Sequence, residues 1–226
     1  MSLFRNATWR RFVYTLWAPV YDVLSRPFAA MRRRSISALA LQPGERVLII
    51  GAGTGLDLDH LPPGVAITAI DLTPAMLERL KRRARRRGQT VDARVMNAEA
   101  MDFPDGQFDA AILHLILAVT PRPRACAQEA ARVLRPGGRA VILDKFIPEG
   151  AAPPLAFRLM APLASAFGTE LTRRLGDILE GLPMRVLRDE PLALKGLFRN
   201  VLIQKPLPAD CDPEGASGGA GLKGRG

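Results

Sequence analysis

The chain has 226 residues, 48% hydrophobic and 24% charged, an ordinary globular composition that can bury a core without a disulfide or metal staple. Two cysteines (Cys126, Cys211) and two histidines (His60, His114) are too few and too scattered for a disulfide scaffold or a structural zinc site. Thirty-two Lys and Arg against 22 Asp and Glu give a net charge of +10, which suggests an anionic partner such as nucleic acid, an acidic membrane surface or an acidic metabolite.

Residues 1–34 form a first zone. Phe4, Trp9, Phe12, Val13, Leu16 and Trp17 fall near helical spacing, with Arg5, Arg10 and Arg11 between them and Arg32, Arg33 and Arg34 behind. This predicts an amphipathic helix, either docked on the core or lying on a membrane surface with its arginines toward anionic lipid. No apolar run reaches the length of a membrane span, and the early arginines break any secretory signal. The expectation is a cytoplasmic protein, with peripheral contact to the inner face of the membrane as the sharper reading.

Strand and helix signals alternate from residue 35 to residue 205. Short apolar runs at 46–50, 66–70, 90–96, 108–113 and 139–144 read as five strands. Residues 56–61 read as a short helix stopped by Pro62-Pro63-Gly64. A second helix starts at Thr73-Pro74 and ends at Gly88, where the residue types suit an N-cap, a first helical position and a C-terminal cap. A third covers 123–134 and stops at Arg135-Pro136-Gly137-Gly138. Further on, 154–167 and 171–180 read as helices, and 184–187 and 198–204 as two last strands. The alternation predicts an α/β fold with a doubly wound parallel sheet. Residues 206–226, rich in Gly, Pro and Ala, read as a disordered tail.

The strongest local signal is Val47-Leu-Ile-Ile-Gly-Ala-Gly-Thr-Gly55. A strand runs into Gly51, Gly53 and Gly55 and then into a helix. Glycine is required where the backbone takes positive φ or a ligand lies against the main chain. At the carboxyl end of a parallel strand this reads as a nucleotide-class site. The spacing is G-x-G-x-G; position 56, where a dinucleotide fingerprint would place its third glycine, is Leu56. No Gly-Lys-Ser/Thr follows, so a P-loop is excluded. Asp71 ends the second strand, where a carboxylate can accept hydrogen bonds from both ribose hydroxyls of an adenosine. Asn97 follows the third strand and offers an acceptor and donors to an adenine edge.

Four stretches in order carry a resemblance: Gly-Ala-Gly-Thr-Gly; Ile-Asp-Leu-Thr-Pro-Ala-Met-Leu; Asn-Ala-Glu-Ala-Met-Asp-Phe-Pro-Asp-Gly-Gln-Phe-Asp; and Arg-Val-Leu-Arg-Pro-Gly-Gly. Together they resemble class I S-adenosylmethionine-dependent methyltransferases across residues 46–143. The resemblance implies a Rossmann-like sheet of seven strands with an antiparallel last strand, a methyltransferase domain over 35–205, an N-terminal helical lid, and S-adenosylmethionine as cofactor. It places Gly51, Ala52, Gly53, Thr54 and Gly55 along the methionine part and Asp71 on the ribose. Leu72 and Ala98 would sandwich the adenine, with Asn97 near its amine. Met76 and Glu99 belong to the same implied cofactor shell, and Tyr21 would help close the lid. One departure stands out. Many members carry an acid two positions before the first glycine, and this chain has Ile49 there.

Methyl transfer from an activated sulfonium depends on placement more than on acid–base groups. A base is needed only where the nucleophile arrives protonated. His114, just after the fourth strand, is the candidate catalytic residue, with a packing role as its alternative; Tyr21 and Asp144 are weaker ones. No metal is expected.

The whole chain looks most like the branch holding bacterial phosphatidylethanolamine N-methyltransferases and ubiquinone/menaquinone C-methyltransferases. The N-terminal Trp-Ala-Pro-Val-Tyr-Asp carries the first likeness, and the apolar insert over 151–167 suits a roof for a lipid-like acceptor. The expected acceptor is therefore a lipid or small apolar molecule, such as a phospholipid amine. A quinone, an RNA, a protein, or a non-catalytic binding module retaining the fold are the alternatives. A dense basic helix (Arg79, Lys81, Arg82, Arg83, Arg85, Arg86, Arg87) reads as a solvated face or as a surface for anionic headgroups or nucleic acid phosphate. It contains no aromatic residue for base stacking, which makes nucleic acid the poorer partner.

Overall fold

The computed structural model describes residues 28–147, 170, 172–193 and 196–208. The expected amphipathic stretch before residue 28, Tyr21 within it, the insert over 151–167 and nearly all of the tail lie outside the described residues.

Five parallel strands carry the site: β1 (Arg46–Ile50), β2 (Ala66–Asp71), β3 (Val91–Val95), β4 (Phe108–His114) and β5 (Leu134–Lys145). They are completed by β6 (Arg185–Ala193) and β7 (Phe198–Gln204). The sheet has seven strands in the order β3-β2-β1-β4-β5-β7-β6. β7 lies between β5 and β6 and runs antiparallel to both, as the resemblance implied. The strand order reverses between β1 and β4, the place where open α/β sheets bind ligands at their carboxyl edge.

Successive side chains of a strand point to opposite faces, and β1 shows the consequence. Val47 and Ile49 enter one apolar cluster with Ile36 and Leu39 from the α1 region (helix Ala29–Ala38) and Leu77, Leu80 and Ala84 from α2 (Pro74–Arg86). Leu48 and Ile50 enter the other, with Cys126, Ala127 and Ala130 from α3 (Pro123–Val133) and Leu175 and Ile178 from α4 (Leu175–Leu179). A 3-10 turn over Leu56–His60 replaces a full helix after the glycine loop.

Two expectations are corrected. Arg135 to Gly138 does not merely stop a helix. β5 already begins at Leu134, which pairs with Phe108 of β4, and the chain turns tightly enough that a Cβ on Gly138 would lie 2.8 Å from the Arg135 carbonyl oxygen. The sixth strand also runs well past residue 187, through Pro191 to Ala193. It is an edge strand, bonded only to β7. Proline's missing N–H is tolerated there and would break a central ladder.

Candidate active site

Backbone hydrogen bonds continue the ladders past the strand ends and fix the loops at the carboxyl edge. Ala52 N–H donates to Ile70 O at 2.9 Å, Met96 N–H to Asp71 O at 3.1 Å, and Leu115 N–H to Leu143 O at 2.8 Å. These three bonds hold the loops after β1, β3 and β4 against the ends of β2 and β5. The glycine loop, Asp71, and the Asn97–Glu99 turn therefore share one edge of the sheet.

Gly51, Gly53 and Gly55 all take positive φ, +69°, +54° and +82°, a region that costs an L side chain energy. Gly51 is constrained twice. A Cβ there would lie 2.7 Å from Cδ1 of Ile116, whose side chain comes over the loop from the segment after β4. Ile116 was not among the expected site residues. It sits in an apolar run after His114 that has no period to mark it. Ala52 and Thr54 are buried, as is Met76 in the first turn of α2.

Asp71 organises the loop. Its Oδ2 accepts from Gly53 N–H at 2.9 Å and its Oδ1 from Thr73 N–H at 2.8 Å. The Thr73 hydroxyl and Leu72 N–H also bond to this carboxylate. Burial pushes its carboxyl above the usual range, against the lowering by the Thr73 and Gly53 N–H groups. Leu72 and Ala98 are half-buried and Asn97 is exposed, its Oδ1 accepting from Glu99 N–H at 3.0 Å. Glu99 faces the other way. Its carboxylate holds the Thr120 hydroxyl at 2.5 Å, Arg122 N–H at 2.8 Å and Arg122 Nε at 2.9 Å. Burial would raise its pKa, but these donors outweigh it and the net shift is downward. Glu99 thus fastens the loop after β4 to the one after β3.

His114 lies in a buried polar network. Its Nδ1 lies 2.7 Å from Asp57 Oδ1 and its Nε2 3.0 Å from Ser35 Oγ, and its side chain is almost wholly enclosed. Arg32 Nη1 donates to the same Asp57 oxygen at 2.7 Å. Burial alone would raise the Asp57 pKa, but the Arg32 guanidinium and His114 hold it well below the usual carboxylate range. The Asp57 carboxylate is therefore an acceptor, and His114 donates from Nδ1. Ser35, His114 and Asp57 stand in the order of a hydrolase relay. All three are buried, so no substrate meets the serine, and neither ring nitrogen is open for proton transfer in this arrangement. The network instead ties α1 to the 3-10 turn and to the end of β4. Asp144 is also fully buried. Its oxygens accept from Ala118 N–H at 2.9 Å and Lys145 N–H at 2.8 Å, and burial pushes its pKa up to about 6.

Ile49 is 1% exposed and lies in the cluster with α1 and α2. The position that is acidic in many class I enzymes is here part of the core and presents no carboxylate. Among the described residues, no cluster of His, Cys, Asp and Glu suits a metal ion, and no helix is long and apolar enough to cross a membrane.

A methyltransferase-domain family model matches residues 48–142, the stretch running from β1 through β5. The chain carries a methyltransferase domain and is an S-adenosylmethionine-dependent methyltransferase. This methyltransferase is 29% identical to the phosphatidylethanolamine N-methyltransferase of Cereibacter sphaeroides over 194 residues, 85% of this chain and 95% of that protein. It is 32% identical to the demethylmenaquinone methyltransferase of Tropheryma whipplei over 156 residues, 69% of this chain and 61% of that protein. Its fold matches the geranyl diphosphate C-methyltransferase of Streptomyces coelicolor with a TM-score of 0.64, at 17% identity over 78% of this chain and 76% of that one. That structure holds S-adenosyl-L-homocysteine. The cofactor of the methyltransferase described here is S-adenosylmethionine. The positive-φ glycines of the loop and the Asp71 carboxylate held beside them at the end of β2 fit such a ligand.

Proposed function

We propose that this methyltransferase acts on a lipid-like acceptor, and specifically on the amine of a phosphatidylethanolamine-type phospholipid. The observation that carries this reading is the likeness to a phosphatidylethanolamine N-methyltransferase along 95% of that protein's length, well beyond the cofactor-binding core. An apolar cavity of about 460 Å³ supports it. The cavity opens beside the end of β5 and is lined by Phe146, Ile147, Leu175, Leu179 and Val186, with the Arg199–Asp189 ion pair at 2.7 Å as its polar part. Such a lining suits hydrocarbon with one polar end. A second reading, methylation of a quinone ring carbon, draws on the likeness to a demethylmenaquinone methyltransferase.

S-adenosylmethionine supplies the methyl group already activated on a sulfonium. The chain's residues then hold and orient. Asp71 receives the ribose hydroxyls while its bonds to Gly53 and Thr73 keep the loop in place. Gly51, Ala52, Gly53, Thr54 and Gly55 offer backbone to the methionine end. Leu72 and Ala98 flank the adenine and Asn97 meets its edge, with Met76 buried in the first turn of α2. Tyr21, outside the described residues, retains the lid role implied by its Trp-Ala-Pro-Val-Tyr-Asp context. With His114 and Asp144 both enclosed, these two residues supply position and not a proton acceptor.

The deciding experiment incubates the enzyme with radiolabelled S-adenosylmethionine and vesicles containing phosphatidylethanolamine, and in parallel with a demethylated quinone. Label in mono- and dimethylated phosphatidylethanolamine is the expected result. Label in the quinone alone, or in neither, overturns the phospholipid reading.

A further inference from the structure

Helix α2 carries six basic residues and one acid in thirteen. Four of the arginines, Arg79, Arg82, Arg83 and Arg86, follow one another at i, i+3, i+4 and i+7, so they share one face about 10 Å long. With Thr54 of the glycine loop they line a pocket of about 310 Å³. Arg83 anchors it, with Nη1 on Asp59 at 2.8 Å and Nε on the Thr54 carbonyl at 3.3 Å. Asp59 also takes Arg87 at 3.4 Å, and the single acid of the helix, Glu78, is paired with Lys81 at 3.1 Å. Among the described residues, Arg79, Arg82 and Arg86 form no ion pair, Glu78 and Asp59 being held by Lys81, Arg83 and Arg87.

Like charges at these spacings repel and destabilise a helix. The helix dipole favours cations in the last turn, which accounts for Arg83, Arg85 and Arg86 but not for Arg79 in the first half. A planar guanidinium binds phosphate oxygens in pairs, which a row of lysines would not do. The pocket has the chemistry of a phosphate site. No aromatic ring lines it, so it has no platform for stacked bases, whereas phosphates on a surface need only a coplanar row of cations.

We propose that this face of α2 binds the phosphate groups of an anionic bilayer. The inference rests on the lipid-acceptor reading only in choosing a bilayer as the source of phosphate. The test uses the full chain, without S-adenosylmethionine, and phosphatidylcholine vesicles with or without phosphatidylglycerol. Neither lipid carries an acceptor amine, so binding and methyl transfer are read separately, and each idea can fail alone.

Wild type should sediment with the anionic vesicles, less so as salt is added. The triple variant Arg79→Gln, Arg82→Gln, Arg86→Gln should lose on the order of a hundredfold in vesicle affinity. A control triple, Arg94→Gln, Arg185→Gln, Arg188→Gln, removes the same charge from exposed positions on β3 and β6 and should lose at most a few-fold. Glutamine is a good helix former. Should the α2 triple melt early, the exposed pair Arg82→Gln, Arg86→Gln carries the same test with roughly a tenfold or greater loss expected. Equal losses in both triples would mean diffuse attraction by net charge and overturn the site. So would no loss in either. Full displacement from vesicles by millimolar inorganic phosphate, or tighter binding of a single-stranded oligonucleotide that the α2 triple abolishes, would assign the pocket to a soluble phosphate or a nucleic acid and overturn the bilayer.

Discussion

His114 and Asp57 are joined at 2.7 Å between Nδ1 and Oδ1, in a site closed to solvent on every side. A histidine at the end of β4, on the edge where a methyl group would be transferred, invites a catalytic role. Its geometry argues for a positioning role. Ser35 occupies the second ring nitrogen, and Arg32 shares the carboxylate. Replacing His114 with Ala should then cost stability, about 2–4 kcal/mol from a charge-assisted hydrogen bond and the packing around it. Turnover per folded molecule should stay within a few-fold. Urea unfolding beside kcat, both measured well below the melting range, separates the two. Loss of a general base would instead cut kcat by ~10²–10⁴ with stability nearly unchanged.

Asp71 holds the loop through Gly53 and Thr73, and the proposed function adds receipt of the ribose. Asp71→Ala should weaken S-adenosylmethionine binding at least ~100-fold, since hydrogen bonds to a charged acceptor are worth ~1.5–3 kcal/mol each and two are lost. Because Gly53 and Thr73 N–H also lose their acceptor, the variant should in addition melt earlier. Calorimetric titration of Asp71→Asn isolates the binding part, because the amide oxygen still accepts one backbone N–H. An affinity equal to wild type in both variants would remove Asp71 from the cofactor site.

The elements nearest the site were the most legible in the sequence, and the reason is local. β1, β2 and β4 are mostly apolar runs, β1 followed by glycine and β2 and β4 ending in aspartate and histidine, and central parallel strands need no alternation because both faces are covered. The loop glycines were legible because only glycine meets a positive φ without cost. The Arg32–Asp57–His114–Ser35 network was not. Its partners are 25, 57 and 79 residues apart, and no spacing rule links positions brought together by the sheet. Glu99 was read from its neighbour Asn97. Its bonds to Thr120 and Arg122, across the loop after β4, have no signature in the sequence. β6 runs on through the charged Arg188-Asp189-Glu190 and Pro191, which show no apolar run in the sequence and which its place at the sheet edge tolerates.

Gly51 and Ile116 form a pair that can be tested by a cycle. Gly51→Ala should destabilise by roughly 2–4 kcal/mol, combining a positive φ with a Cβ driven against Ile116. In the Gly51→Ala background, Ile116→Ala should cost less than it does alone, because it relieves the contact. The φ strain remains, so wild-type stability is not regained. The measurement is the coupling energy from four urea curves, expected at ~1 kcal/mol or more. Strict additivity would show that the two residues do not meet.

Asp144 predicts a pH signature of definite sign. Its pKa rises from 3.8 to about 6 because burial disfavours the carboxylate, only partly offset by the Lys145 and Ala118 N–H bonds. Between these values the folded protein binds more protons than the unfolded chain, so stability falls as pH rises through this window and levels off above it. Two pH units correspond to about 3 kcal/mol. Other acids titrate in the same range, and Asp57, Glu45, Glu99, Asp109 and Glu129 shift the opposite way, so the raw pH curve mixes signs. The comparison with Asp144→Asn removes them. The amide has one acceptor oxygen for two N–H donors, which lowers the variant by a constant amount at every pH. The stability of wild type minus that of the variant should therefore decline by about 2.5 kcal/mol from pH 4 to pH 7. A flat difference would mean that Asp144 titrates normally in the folded state. A rising one would mean that its carboxylate is stabilised there, by a cation placed closer to it than Lys145.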